Sequence, residues 1–202
     1  MRPLRPWLRS LGTSLRALFV LTLLTGVLYT AAVLGLGQAL LPAAANGSLL
    51  RDDAGDVIGS RLLGQSFTDA EGAPLPEWFQ SRPSAAGDGY DGGASSGSNL
   101  GPENPDLIAA IEQRRADIAA FEGVDPSEVP VDALTTSASG LDPHISAAYA
   151  LLQAPRVAEA RDLDPERVVA LVESMIEPRA LGFIGQERVT VVSLNLALEQ
   201  LD

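Results

Sequence analysis

The sequence predicts an α+β protein: one N-terminal transmembrane helix followed by a single extracytoplasmic α+β domain. Three observations carry this expectation. A long uncharged stretch follows a basic start, β-branched runs lie near both ends of the remainder, and three proline-led helix starts fall between them.

The anchor comes first. Arg2, Arg5, Arg9 and Arg16 precede every acidic residue, and the first acid is Asp52. The 25 residues from Ala17 to Leu41 carry no charge. As a helix rising about 1.5 Å per residue they would cover about 38 Å, more than the roughly 30 Å of bilayer hydrocarbon. Pro42-Ala43-Ala44-Ala45 offers an Ala-x-Ala cleavage site after a basic start. The apolar region of a signal peptide runs only about 7 to 15 residues, however, so a retained anchor is the expected reading. Arginine on the N-terminal side predicts a cytoplasmic segment 1–16, a span 17–41 and an extracytoplasmic domain 42–202, a single-pass protein of the inner membrane. Within the span, Thr22, Gly26 and Thr30 recur at four-residue spacing and would form a small-residue ridge for a partner transmembrane helix.

Charge and composition narrow the chemistry. The formal net charge is −12, and beyond the anchor 10 arginines against 26 acids leave −16, which argues against a nucleic-acid partner. There is no cysteine, so disulfides and thiolate metal sites are excluded. Every basic side chain is arginine, a bias that codon usage or high-salt adaptation would produce.

The remaining elements follow in order. Gly55 to Phe67 has short apolar runs broken by glycine, which suits strands and a turn. From 72 to 105 the chain is dense in Gly, Pro, Ser, Asp and Asn and reads as an unusually long loop. Asn104-Pro105, Asp142-Pro143 and Asp164-Pro165 each place a good N-cap before a proline at the first helical position. After Asp142, residues Ile145, Ala148, Tyr149 and Leu152 fall on one helical face, and the helix is expected to break near Ala154-Pro155. After Asp164, Val168, Leu171, Val172, Met175 and Ile176 repeat the pattern. Arg188 to Asn195, RVTVVSLN, is β-branched enough to be a strand, with a short terminal turn of helix after it.

The only histidine, His144, sits in SASGLDPHIS beside Asp142 and three serines. Helix-start geometry accounts for this cluster: Asp142 caps, Pro143 sets the first φ, and His144 is the second helical residue. A serine triad would need His144 to touch a serine while an acid orients it, and one histidine without cysteine is a poor zinc signature. No residue is assigned to catalysis or to a metal. Gly87 to Gly92 spells G-x-G-x-x-G and Gly93 to Gly97 spells G-x-S-x-G, but neither lies between a strand and a helix. Asn46-Gly47-Ser48 is a glycosylation sequon only in a eukaryotic secretory pathway.

The ordered series ANGSLL (45–50), GQSF (64–67), QSRPSA (80–85), SGSNLGPENP (96–105), TTSASGLDPHIS (135–146), RVAEAR (156–161) and NLALE (195–199), behind one anchor, closely resembles the KdpC family. These are the C subunits of the Kdp potassium-transporting P-type ATPases of prokaryotes. The resemblance implies an accessory, non-catalytic subunit that works beside a potassium-selective channel-like subunit and an ATP-hydrolysing subunit. Potassium is the ion carried by such a complex, and no cofactor is held tightly by the C subunit. The resemblance also implies a catalytic chaperone that raises the ATP affinity of the hydrolysing subunit, with Gln153 as the proposed nucleotide contact. The charge rule conflicts with that contact, because it puts Gln153 outside while ATP is cytoplasmic. As a helix-end residue, Gln153 would equally serve exposed carbonyls there. Ser96 stands where the family pattern has glycine, so a positive φ there would be strained.

Two other classes remain open on the residues alone. A free-standing anchored binding module would co-purify with no polytopic partner, and an anchored hydrolase would show turnover that a Ser or His substitution abolishes.

Overall fold

A computed structural model describes residues 4–52 and 54–201; Arg2 of the basic start lies outside them. The chain divides into two compact units at Ser48 and Leu49.

The first unit is helical. Helix α1 (Leu4–Leu21) runs without interruption through a π-helical stretch, Thr22–Tyr29, into α2 (Thr30–Leu40), and a single turn, α3 (Pro42–Ala45), follows. Trp7–Leu40 makes 34 residues of exposed helix whose most apolar window has a mean hydropathy of 2.2, long and apolar enough to cross a membrane. Thr25 Oγ1 donates to the Leu21 carbonyl at 2.7 Å, so this hydroxyl is satisfied within its own helix. Thr22 and Gly26 lie on the π-helical stretch and Thr30 directly after it, all three exposed. A π-helical turn is slightly wider than an α-helical one, and Thr30 has α-helical backbone angles, so residues four apart still fall close to one face. At the end of the unit Asn46 Nδ2 donates to Gln38 Oε1 (3.0 Å) and to the Pro42 carbonyl (2.7 Å), tying the turn back to the helix.

The second unit mixes helix and sheet. Strands β1 (Leu49–Arg51) and β2 (Val57–Ser60) form an antiparallel hairpin that pairs Leu49 with Ser60 and carries a bulge between Leu50 and Arg51. No helix or strand occurs between β2 and α4 (Pro105–Glu122). A 3₁₀ turn (Pro126–Glu128) and α5 (Val131–Leu134) lead to β3 (His144–Ile145), α6 (Ala147–Ala160), α7 (Pro165–Ser174), β4 (Val189–Thr190) and α8 (Val191–Leu198). The core gathers Phe79, Ile145, Val157, Val168, Val172, Val189, Leu194 and Leu198, each at most 2% exposed. Caps are visible where local sequence provides them. Asn104 Oδ1 accepts from the Asp106 amide at 2.8 Å and Asp164 Oδ1 from the Glu166 amide at 2.9 Å.

Three local expectations give way to packing. Asp142 caps no helix: His144 and Ile145 pair with Thr190 and Val189 as β3 and β4, and α6 starts at Ala147 with Ser146 as its N-cap. The buried face of α6 is accordingly Tyr149, Ala150, Gln153, Ala154, Val157 and Ala158, and Ala148 is exposed. Pro155 lies inside α6 instead of ending it. The ring removes one i→i−4 hydrogen bond, but it sits on the exposed face while the buried face beside it packs continuously through it. In RVTVVSLN only Val189 and Thr190 are strand. Val191, Leu194, Asn195 and Leu198 are buried at helical spacing, and that burial outweighs β-propensity.

Candidate functional site

Asp142 and His144, both singled out in the sequence, meet Arg82 in a charged node between the long loop and β3. Arg82 Nη1 donates to Asp142 Oδ2 at 2.8 Å, and Arg82 Nη2 donates to the Thr135 carbonyl at 3.2 Å. The other carboxylate oxygen, Asp142 Oδ1, accepts from the His144 amide at 3.1 Å and lies 3.2 Å from His144 Nδ1. Asp142 thus closes an Asx turn over Pro143. Burial is the largest influence on its carboxyl and raises the pKa, but hydrogen bonds from His144 and the Arg82 charge outweigh it, leaving the carboxyl below its ordinary value.

A second acid acts on the next residue but one. Asp132 of α5 accepts from the Ser146 amide at 2.7 Å and from Ser146 Oγ at 2.9 Å, while Ser146 Oγ accepts from the Tyr149 amide at 3.0 Å. The hydroxyl is committed to capping α6. Among the described residues no serine hydroxyl bonds to His144, so the node is not a nucleophilic triad. Arg82, Asp132, Asp142, His144, Ser146 and Arg188 border an open cavity of about 550 Å³.

Side-chain hydrogen bonds order the long loop around this node. Ser84 Oγ donates to the Gly140 carbonyl at 2.6 Å and accepts from the amides of Ala86 (3.1 Å) and Tyr90 (2.9 Å). Tyr90 Oη donates to the Arg82 carbonyl at 2.8 Å, and burial pushes its pKa up to about 12. Gly64 is required here, since a Cβ at that position would lie 2.3 Å from the Tyr90 ring and 2.5 Å from the Asp142 carbonyl. Ser95, the serine of G-x-S-x-G, donates to the Ser139 carbonyl at 2.9 Å in irregular chain, and G-x-G-x-x-G opens no helix. Ser96 does not take a positive φ, so the feared strain is absent there. Tyr90 (57°) and Asn99 (53°) carry positive φ instead.

Gln153 belongs to a second, buried node. It is 0% exposed, its Oε1 accepts from the Gln80 amide at 2.6 Å and from Arg156 Nη2 at 3.0 Å, and its Nε2 donates to the Gln80 carbonyl at 3.1 Å. Asn195 of α8 grips the preceding peptide in the same way, accepting from the Phe79 amide at 2.9 Å and donating to the Phe79 carbonyl at 3.0 Å. Arg156 adds bonds to the Pro76 and Trp78 carbonyls, pairs with Glu122 Oε2 at 2.9 Å and stacks 4.5 Å from the Phe121 ring. Burial, only partly offset by Arg156, raises the Glu122 pKa. This geometry turns Gln153 inward as a clamp on the loop and leaves its carbonyl oxygen no lone pair for a ligand. It also departs from the exposed helix-end role, because Gln153 lies mid-helix.

Sequence reasoning did not single out Arg82, Arg156 or Asn195. The available signal was their position inside QSRPSA, RVAEAR and the NLALE run, beside predicted buried faces.

The family model described as K+-transporting ATPase, c chain, matches residues 11–200. The chain is 51% identical over 191 residues to the potassium-transporting ATPase KdpC subunit of Kineococcus radiotolerans, covering 95% of this chain and 93% of that one. It is 50% identical over 197 residues to the subunit of the same name from Caulobacter vibrioides, with 97% and 92% covered. For the Mycobacterium tuberculosis subunit the figures are 49% over 197 residues, with 96% and 99% covered. A match along nearly the whole length, spanning the apolar helix, the loop and both nodes, places this chain in the KdpC family.

Proposed function

We propose that the chain is an accessory, non-catalytic subunit of a high-affinity, ATP-driven potassium uptake complex, supporting its assembly and activity. The observation that carries this reading is the family match over residues 11–200. Two features support the non-catalytic part. The chain has no Asp-Lys-Thr-Gly phosphorylation sequence and no lysine with which to build one. Asp142 and His144, the pair that looked reactive, are engaged in the Asx turn and in holding Arg82, and Ser146 is held by Asp132. The partners are a potassium-selective channel-like subunit and an ATP-hydrolysing subunit. Thr22, Gly26 and Thr30 are the surface on which a partner transmembrane helix packs.

Residues 1–16 are cytoplasmic and the domain from residue 42 onward is extracytoplasmic, because arginine precedes the span and the acids follow it. The catalytic-chaperone effect on ATP affinity acts through subunit contacts on this reading, since Gln153 is buried and its carbonyl oxygen is doubly engaged. Protease added to intact spheroplasts tests the topology: the domain should be digested while cytoplasmic marker proteins survive. Full protection of the domain would refute the extracytoplasmic placement.

A further inference from the structure

Helix α1 has two chemically distinct faces at its N-terminal end. Trp7, Leu8, Leu11 and Leu15 fall at i, i+1, i+4 and i+8, one helical face, and are 63%, 55%, 42% and 56% exposed. Arg9 and Arg16, seven residues and so nearly two turns apart, share a line on the far side. Thr13, between them on that side, donates its hydroxyl to the Arg9 carbonyl at 3.0 Å, which leaves the guanidinium groups as the free donors there. The first unit contains no acid, because it ends at Ser48 and the first acid of the chain is Asp52. The local charge is therefore positive and uncompensated.

Depth determines what meets these faces. Arg16 is followed directly by the uncharged stretch 17–41, so with that stretch in the hydrocarbon Arg16 stands at the level of the headgroups. An upright helix would hold Trp7 about 15 Å beyond the hydrocarbon edge, clear of a headgroup layer roughly 5 to 8 Å thick. Its tryptophan and leucine face would then stand in water. The uncharged stretch is about 38 Å long as a helix against roughly 30 Å of hydrocarbon, and tilt takes up the excess. Tilt lowers one side of the N-terminal end onto the interface. Tryptophan and leucine on one side with arginine on the other set which side that is.

We propose that the apolar face of residues 7–16 lies on the membrane interface, with Arg9 and Arg16 holding the phosphates of anionic phospholipids. A second copy of this unit carries the same positive charge and is repelled, whereas phosphates already surround the helix at the depth of Arg16. The placement rests on the membrane-spanning reading above.

The chain has 2 tryptophans, so Trp78→Phe leaves Trp7 as the only indole and keeps an aromatic ring beside Phe67 and Arg161. Fluorescence of the full Trp78→Phe chain is read in nanodiscs of phosphatidylcholine containing a minor share of phosphatidylglycerol. Acyl-chain bromines, which quench an indole only at close range, are carried either by the phosphatidylglycerol or by an equal amount of the phosphatidylcholine. Each arginine near the surface favours an anionic lipid about fivefold, so brominated phosphatidylglycerol should quench Trp7 about threefold more than the brominated phosphatidylcholine. Replacing both arginines, Arg9→Gln with Arg16→Gln, should lower that preference about twofold or more, while Arg9→Lys with Arg16→Lys keeps it and circular dichroism shows the same helix content. If neither lipid quenches Trp7 in a chain inserted in the discs, the face is clear of lipid and the proposal is overturned. Equal quenching by the two lipids, or a preference undiminished by the glutamine pair, overturns the contact between arginine and phosphate. Quenching that falls when each disc holds two chains instead of one assigns the face to a second copy and overturns the proposal as well. A chain that does not incorporate into the discs removes the membrane-spanning reading and the interfacial placement with it.

Discussion

One carboxylate at residue 142 ties together segments 60 positions apart, with Oδ2 on Arg82 and Oδ1 on the backbone and ring of His144. Its depressed pKa sets the sign of a pH effect. A carboxyl whose folded pKa lies below its unfolded value, about 3.9, contributes stability that is present above that value and is lost as pH falls through the folded pKa. Asp142→Asn should therefore lower stability near neutrality and flatten the acid side of the stability profile below about pH 4, measured by urea unfolding at several pH values. Glu122 has the opposite sign: its raised folded pKa makes its contribution greatest at low pH and weaker as pH climbs through that pKa. An acid limb of unchanged slope in Asp142→Asn would show that another carboxylate governs it. The aspartate was legible in the sequence as a structural residue, but its partner was not. Asp-Pro reads locally as a cap, and nothing local to Asp142 announces an arginine on a loop far upstream.

The elements show where local reading succeeds and where it stops. The helices opened by Asn104 and Asp164 could be read because cap and first proline are adjacent, so a few residues contain the whole signal. The segment 188–195 misled because β-branched residues suit a strand until Val191, Val192, Leu194 and Asn195 are buried on a helix against the core. The loop between β2 and α4 could be read as irregular, whereas part of its order comes from α6 and α8. Gln153 and Asn195 hold two successive peptides in place of a sheet partner. Asn195→Leu would leave the buried Phe79 amide and carbonyl without partners, each costing about 1 to 3 kcal/mol, so a loss of about 2 to 6 kcal/mol is expected. Asn104→Ala, at an exposed cap, should cost only about 0.5 to 2 kcal/mol. Denaturant unfolding of the full chain in detergent compares the two, and a smaller loss for Asn195→Leu than for Asn104→Ala would mean that the clamp does not hold the loop.

At the scale of the whole molecule, an apolar helix is followed along the chain by a strongly acidic mixed unit, and among the described residues no group of His, Asp and Glu is placed to hold a metal ion. The second unit offers a charged node over an open cavity instead. The family match makes the chain a subunit of a K+-transporting ATPase, and an accessory role is consistent with it. The direct test is potassium-stimulated ATP hydrolysis by detergent-purified complex made from cells with and without this chain, read alongside the subunits that co-purify with it. The account predicts that the wild-type chain brings down both large subunits, that its omission removes potassium-stimulated turnover, and that His144→Ala, which leaves Asp142 paired with Arg82, retains most of that turnover. Full turnover by a complex lacking the chain, or loss of turnover in an intact complex carrying His144→Ala, would contradict it.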